Sequence, residues 1–441
     1  VWFEGDRVVR RVAPAGRAAM ERLLASRTFA EAVGRGDLVD AELVGERDGE
    51  LLVEHPVVAP WSYPSEWTFS MLRDAALLQV RLARSAVAEG LSLQDGSGFN
   101  VTFADHQPVF VDHGSFVVRR PGEAWTGHHQ FSRHLLYPLL IQAHADVDVQ
   151  PLLRSALEGI PAATARRILG PMALRHRGVG LHVAIPALAE GRWAERSGSL
   201  ARAAAAATVP EDAVRRTFDR LEHLVEGLTW RRSESTWADY AERTHYSEGS
   251  LEAKERFVAR ALGRERRRLV LDVGCNDGRF SRLAAEHAEQ VVAIDADHLT
   301  VDRLRRTLVE RPAAAPVLPL VVDACDPTPA QGWAGRERSA FAERVRPDVV
   351  LLLAVVHHLA ISRTVPYVEQ LRWASAGGAE VVVEVPTEDD PMVRRLLADK
   401  RGGRAGDSSL AAFERAAASY RTLGREELAG GTRVLFHLAP G

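Results

Sequence analysis

The carboxy-terminal half of this 441-residue chain predicts an α/β fold on a parallel sheet, and the amino-terminal half predicts a smaller α+β body followed by helices. Three observations carry this reading. From about residue 236 onward, apolar runs at 269–273, 290–295, 317–322, 348–355, 380–385 and 432–438 alternate with stretches of helical spacing. That is the pattern of strand–helix–strand units in a parallel sheet. Residues 1–120 instead mix short strands with turn residues, in VWFEGDRVVRRVAP, ELVGERDGELLVEHPVV and FNVTFADHQPVFVDHGSF, and these read as hairpins. One long helix at 71–91 interrupts them, with apolar residues at three-to-four spacing and a glycine near its end. Residues 121–235 show no β alternation and read as a helical region that includes the low-complexity run LARAAAAAT at 200–208. The expected organisation is therefore 1–120, 121–235 and 236–441.

Composition narrows the function classes. The chain is 46% hydrophobic and 26% charged with a net charge of −3, which is ordinary for a soluble globular protein. No basic block stands out, so no nucleic-acid partner is expected. The longest apolar run, 349–356, is too short to span a bilayer. The charged start, from Val1 rather than a methionine, carries no secretory apolar region, and a cytoplasmic location fits. Cys275 and Cys325 cannot build a disulfide framework. Only two of the 56 basic residues are lysine, Lys254 and Lys400. Nothing in the pattern sets an oligomeric state, and no metal site is expected.

The densest chemistry lies in RRLVLDVGCNDGRFSRLAAEHA. A buried strand carrying Asp272 runs into a tight turn, Gly274-Cys275-Asn276-Asp277-Gly278, which opens a helix near Arg279. Gly274 and Gly278 permit close backbone approach, and Asn276 tolerates a left-handed conformation. The unpaired N–H groups of the helix start can face a polar ligand. Next, EQVVAIDAD ends a second strand at Asp295, where an acid can take both ribose hydroxyls; Asp297 is the alternative. LPLVVDACDP places Asp323 and Ala324 at the end of a third strand, positioned for an adenine amino group. RPDVVLLLAVVHHLAIS brings His357 and His358 to the end of a fourth, beside the topological switch point.

These residues resemble the class I S-adenosylmethionine (SAM) dependent methyltransferases over about 236–441. The turn has G-x-x-x-G and not the G-x-G-x-x-G of a nicotinamide site. The resemblance implies a Rossmann-like seven-stranded sheet ending in a β-hairpin with an antiparallel last strand. It also implies SAM as cofactor, held by Asp272, Gly274, Cys275, Asn276, Gly278, Asp295, Asp323 and Ala324. Methyl transfer to a hydroxyl requires removal of a proton, and a neutral histidine suits that near pH 7. His357 and His358 are the candidate bases, with Glu384 at the end of the fifth strand as second choice. Asp389 and Asp390 before Pro391 read as helix caps, and Ser247 or Ser250 as the cap of a helix at 251–262. Trp237, Tyr240, His245 and Tyr246 read either as a cover over the cofactor or as core anchors of a helical cap.

The amino-terminal half carries a second motif. Asp95 and Asn100 stand in D-x-x-x-x-N spacing, followed by a strand pair and Asp112-His113-Gly114. This resembles the catalytic and metal-binding loops of protein kinases and small-molecule phosphotransferases. The resemblance assigns Asp95 to the acceptor hydroxyl and Asn100 and Asp112 to magnesium. The departures point to a reduced, degenerate lobe, a pseudokinase. Leu93-Gln94 replaces the usual His-Arg, no Gly-rich loop precedes it, and no lysine occurs before Lys254, so Arg10 or Arg11 would have to substitute. The whole arrangement, D-x-x-x-x-N, V-F-V-D, a helical middle and a terminal V-H-H-L, also resembles a bacterial group of SAM-dependent methyltransferases related to a nodulation protein. The reading is O-methylation of a small-molecule or glycan hydroxyl, with the amino-terminal half helping to bind the acceptor. Trp61, Tyr63 and Trp67 either line that groove or pack between lobes. The alternatives are an N- or peptide methyltransferase, a bifunctional phosphotransferase–methyltransferase, and a non-catalytic scaffold for residues 1–235.

Overall fold

The computed structural model describes residues 1–188, 208–235, 248–310, 316–399 and 409–441. Trp237, Tyr240, His245, Tyr246, Ser247 and the alanine run up to residue 207 lie outside the described residues. The chain divides into two compact units, Val1–Arg232 and Ser233–Gly441.

In the first unit, β1 (Trp2–Glu4), β2 (Arg7–Val12), β3 (Glu42–Arg47) and β4 (Glu50–Pro56) form an antiparallel sheet in the order β1-β2-β4-β3. Alternation sends Val12, Leu51 and Val53 inward, where they pack on Met20. The long helix is Phe69–Ala88, capped by Thr68, whose hydroxyl accepts the Met71 N–H. Two short pairs follow it: β5 (Leu91–Leu93) with β8 (Phe116–Val118), and β6 (Val101–Ala104) with β7 (Gln107–Phe110). The tight turn of the second pair places Asp105 at φ +53°. Helices from His128 onward, ending with Glu211–Glu226, belong to the same unit. That last helix is joined to the long one through Arg81 and Glu222 at 2.8 Å. Trp67 is completely buried, its indole N–H on the Ser62 hydroxyl and its ring edge-on to Phe103, and Tyr63 is buried against Phe99. Both are core residues of this unit and not the walls of a groove.

Among the described residues, the second unit holds seven strands. They are β9 (Arg267–Val273), β10 (Ala288–Asp295), β11 (Val317–Val321), β12 (Val349–Leu352), β13 (Glu380–Pro386), β14 (Tyr420–Glu427) and β15 (Arg433–Pro440). Their order is β11-β10-β9-β12-β13-β15-β14. The first five are parallel, and β15 runs antiparallel between β13 and β14. Helices cover both faces, so the central strands are almost wholly buried and read as unbroken apolar runs. Val270, Val291, Val349, Leu351 and Val382 form the core beneath the helix Glu248–Leu262. Each such side chain contributes about 1.5–3 kcal/mol by leaving water.

Two local readings change. The fourth strand ends at Leu352 and not at 355, because Ala354 takes φ +59° and turns the chain away from the ladder. Ser250 lies inside its helix and donates to the Ala429 carbonyl, so it is not a cap. Among the described residues, no helix is long and apolar enough to cross a membrane.

Candidate active site

The carboxyl ends of β9, β10, β11 and β12 open onto one cleft of about 390 Å³, within the size range of small-molecule sites. It lies where the strand order reverses between β9 and β12, the position at which open parallel sheets bind ligands. Asp272, Gly274, Cys275, Asn276, Asp295, Asp323 and Ala324 all line it. The backbone of the first turn explains its residue types. Gly274 sits at φ +69°, and a Cβ there would come within 2.4 Å of Val355. Asn276 is left-handed at φ +48°. Gly278, at φ +73°, is excluded from the cleft lining: its missing Cβ makes room for Leu304, which a side chain would meet at 2.3 Å. It shapes the turn from behind.

Asp295 is held in place by the turn it serves. Its carboxylate accepts the Asn276 N–H at 3.1 Å and the Asp297 N–H at 2.9 Å. Asp297 itself accepts N–H bonds from Leu299 and Thr300 at the start of the helix His298–Glu310 and does not line the cleft. Asp272 is buried and accepts the Ser281 hydroxyl at 2.6 Å. Burial pushes the carboxyls of both Asp272 and Asp295 up to about 6. Asp323 accepts the Cys325 N–H and pairs with Arg363, which also lines the cleft.

The two histidines are separated by the turn they share. His358 lines the cleft, whereas His357 is completely buried behind it. Their rings lie 4.2 Å apart. Burial is the main cause that lowers His358 to about 4 and His357 well below its ordinary value, so both are neutral near pH 7. Glu384 is also away from the cleft lining. It is completely buried on β13, with Lys254 at 2.6 Å on one oxygen and Arg433 at 3.1 Å on the other. Arg433 reaches on to Asp390 at 2.8 Å, and Asp390 caps the next helix through the Met392 N–H.

No sequence motif marks Lys254 as a site residue. It projects from the helix before β9 into the cleft lining, buried, with its ammonium 4.6 Å from the Phe280 ring centre. Burial lowers its pKa, against the pull of Glu384. The signal available was compositional: a lysine kept in a chain whose other cations are nearly all arginine.

In the first unit the structure brings Asn100 and Asp112 together through Ser115. Asn100 donates to the Ser115 hydroxyl and to the Asp95 carbonyl, and Ser115 donates to Asp112. The other Asp112 oxygen pairs with Arg10 at 2.7 Å. The Asp95 carboxylate accepts the Ser97 N–H and so shapes its own turn. Among the described residues, no cluster of three or more His, Cys, Asp or Glu side chains could hold a metal ion.

The sheet order and cleft agree with what the comparisons show, a SAM-dependent methyltransferase with S-adenosyl-L-methionine as its cofactor. Residues 242–415 match the methyltransferase-domain family. The chain is 31% identical to the nodulation protein NoeA of Rhizobium meliloti (strain 1021), over 98% of this chain and 92% of that protein. It belongs to the family of that protein. Among solved structures it is similar to the N-methyltransferase NodS of Bradyrhizobium japonicum WM9, with 14% identity, a TM-score of 0.32, and 44% of this chain and 98% of that one covered. It is also similar to the SAM-bound magnesium protoporphyrin IX methyltransferase ChlM of Synechocystis PCC 6803, with 13% identity, a TM-score of 0.32, and 48% and 88% covered.

The carboxyl shifts make a pH prediction. Asp272 and Asp295 are raised by burial, so the folded, ligand-free chain holds their protons more tightly than the unfolded chain does. Their contribution to stability is fully present below the unfolded value of about 3.9 and is lost as pH rises through about 6. A ribose diol on Asp295, the role expected from the sequence, would bind with the opposite sign, because it needs the ionised acceptor. Affinity for S-adenosylhomocysteine is expected to hold from pH 8 to 6.5 and to fall below 6, approaching tenfold per pH unit, with no matching loss of stability from these two groups. Calorimetric titration at stepped pH checks this; an affinity unchanged between pH 7.5 and 5 contradicts it.

Proposed function

We propose that this protein methylates a hydroxyl of a small molecule or glycan, with His358 receiving the hydroxyl proton. The observation that carries the reading is His358 itself, a histidine in the cleft lining that burial keeps neutral at working pH. An amine acceptor that arrives unprotonated needs no such group, whereas a hydroxyl does.

The donor set fits the cofactor. We assign Asp295 to the ribose diol and Asp323 with Ala324 to the adenine edge. Asp272 and Lys254 offer opposite charges to the ammonium and carboxylate of the amino-acid end, with Gly274, Cys275 and Asn276 lining the space between. The bound cofactor supplies a methyl group activated on a sulfonium. The chain's own contribution is then to orient the acceptor, exclude water and take up the proton at His358. His357, buried behind, is assigned to supporting that turn, and Glu384 to holding Lys254.

A base whose conjugate acid is depressed to about 4 is weak, so its contribution lies at the low end of general-base effects. Replacing His358 with alanine is expected to lower methyl transfer by about a hundredfold while leaving S-adenosylhomocysteine affinity within about threefold. Transfer from labelled SAM to panels of hydroxyl and amine acceptors measures this. Full activity in the His357→Ala/His358→Ala double variant would remove the base assignment and favour the N-methyl or peptide reading.

The first unit is assigned to acceptor recognition and not to phosphoryl transfer. The carboxylate that a kinase-like lobe would offer to magnesium, Asp112, is engaged by Arg10 and Ser115. The NoeA relative aligns along both units, which supports one protein type with both parts. ATP hydrolysis that depends on Asp112 would argue for the bifunctional alternative.

A further inference from the structure

Cleft-lining residues His358, Leu359, Ser362 and Arg363 all belong to one short segment between β12 and the helix Tyr367–Ala374. The segment is unusually constrained. Ala354 at φ +59° precedes it and Thr364 at φ +58° ends it, both left-handed without being glycine, and the second is β-branched. A single buried side chain ties its two feet together: the Gln370 amide nitrogen donates to the Val356 carbonyl at 3.2 Å and to the Val365 carbonyl at 2.9 Å. Within the segment, the Val365 N–H returns to the Leu359 carbonyl. Residues 356–365 therefore form a strap whose two feet are closed on Gln370.

The strap touches both ends of the site. Near one end it carries His358. Near the other, Arg363 reaches Asp323, the acid at the edge of β11. The Arg363 side chain is 54% exposed, so its pair with Asp323 is a weak tie by itself. A carboxylate has about four lone-pair sites, and Asp323 can keep its bonds to Arg363 and the Cys325 N–H while accepting from a further donor. Arg363 lines the cleft beside Asp323, and a planar guanidinium can stack on an aromatic base.

We propose that Arg363 is a positioning residue that caps the adenine end of the cleft from its pair with Asp323 and, through the clamped strap 356–365, sets where His358 stands for the acceptor. The proposal rests on the assignment of Asp323 to adenine and His358 to the acceptor. Filling the nucleoside end settles Arg363, Arg363 settles the strap, and His358 is brought into register. The acceptor site is completed only after the cofactor has entered.

Adenosine, which fills the nucleoside end alone, is the probe. In the full chain, the His358 imidazole resonance, identified by its loss in His358→Ala, is followed by NMR as adenosine is added. Binding is measured in parallel by calorimetry. The wild type is expected to bind adenosine and to shift the His358 resonance. Arg363→Ala is expected to bind adenosine about two- to fivefold more weakly and, at saturation, to leave the His358 resonance where it stands in the free protein. Arg363→Lys, which keeps the ion pair but not the flat cap, should restore part of the shift. A shift as large in Arg363→Ala as in the wild type, or none in saturated wild type, overturns the proposal. Unchanged adenosine affinity in Asp323→Asn overturns the adenine assignment and the cap with it. Loss of all binding of adenosine and S-adenosylhomocysteine by the wild type instead overturns the cofactor placement.

Discussion

Replacing Asp295 with alanine is expected to weaken S-adenosylhomocysteine binding by about a hundredfold or more. Two hydrogen bonds from a ribose diol to an ionised acceptor contribute about 1.5–3 kcal/mol each, and both disappear in the variant. A second effect adds to this. Asp295 accepts the backbone N–H of Asn276, so its removal also frees the turn whose left-handed Asn276 shapes the cleft wall. Asp295→Asn separates the two contributions. Its single carbonyl can keep one backbone bond, but its amide nitrogen faces the other donor, so the turn is strained while the bulk is kept. The asparagine variant should fall between wild type and alanine both in calorimetric affinity and in thermal stability. An alanine variant that binds within about threefold of wild type would remove Asp295 from the ribose position and return Asp297 to consideration, against its present engagement at the helix start.

How much of this was legible in the sequence follows from which residues announce themselves. The central strands do, because burial on both faces forces unbroken apolar runs, and five of the parallel strands fall where those runs lie. β14 does not. It is an edge strand with one neighbour and no buried residue, YRTLGREE, which carries too little apolar signal to separate from a loop. The resemblance to class I methyltransferases supplied that strand; periodicity did not. Acids at strand ends were readable because a short apolar run stops on them. Lys254 lies mid-helix, where nothing in the local pattern distinguishes a cleft-facing ammonium from a solvated one. The two adjacent histidines could not be ranked by sequence, since the choice depends on Ala354 turning the chain left-handed and aiming only His358 at the cleft. Likewise, Trp67 and Tyr63 in WSYPSEW have the composition of a binding groove, yet the fold uses them as core, and only the packing partners decide that.

Glu384 shows the same limit, and it carries the second large prediction. An acid at the end of the fifth strand reads as a candidate base, but here its two oxygens meet Lys254 and Arg433 in a site with no exposure. Each of its oxygens already faces a cation, so its removal should act on stability. Glu384→Leu leaves two buried cations without their shared counter-charge, a change that costs about 3–5 kcal/mol in comparable buried pairs. For the unit Ser233–Gly441 that corresponds to a fall in melting temperature on the order of 10 °C. Lys254→Met/Glu384→Leu removes the charge pair together and leaves Arg433 with Asp390, so most of the stability should return. The double variant should then melt near wild type yet bind S-adenosylhomocysteine more weakly than wild type, because Lys254 no longer faces the cleft. Scanning calorimetry of wild type, both single variants and the double variant closes the cycle. If Glu384→Leu melts within about 2 °C of wild type, the buried network does not hold this end of the sheet. If Glu384→Gln keeps its stability but loses transfer with a shifted pH profile, the proton passes through Glu384 and not His358.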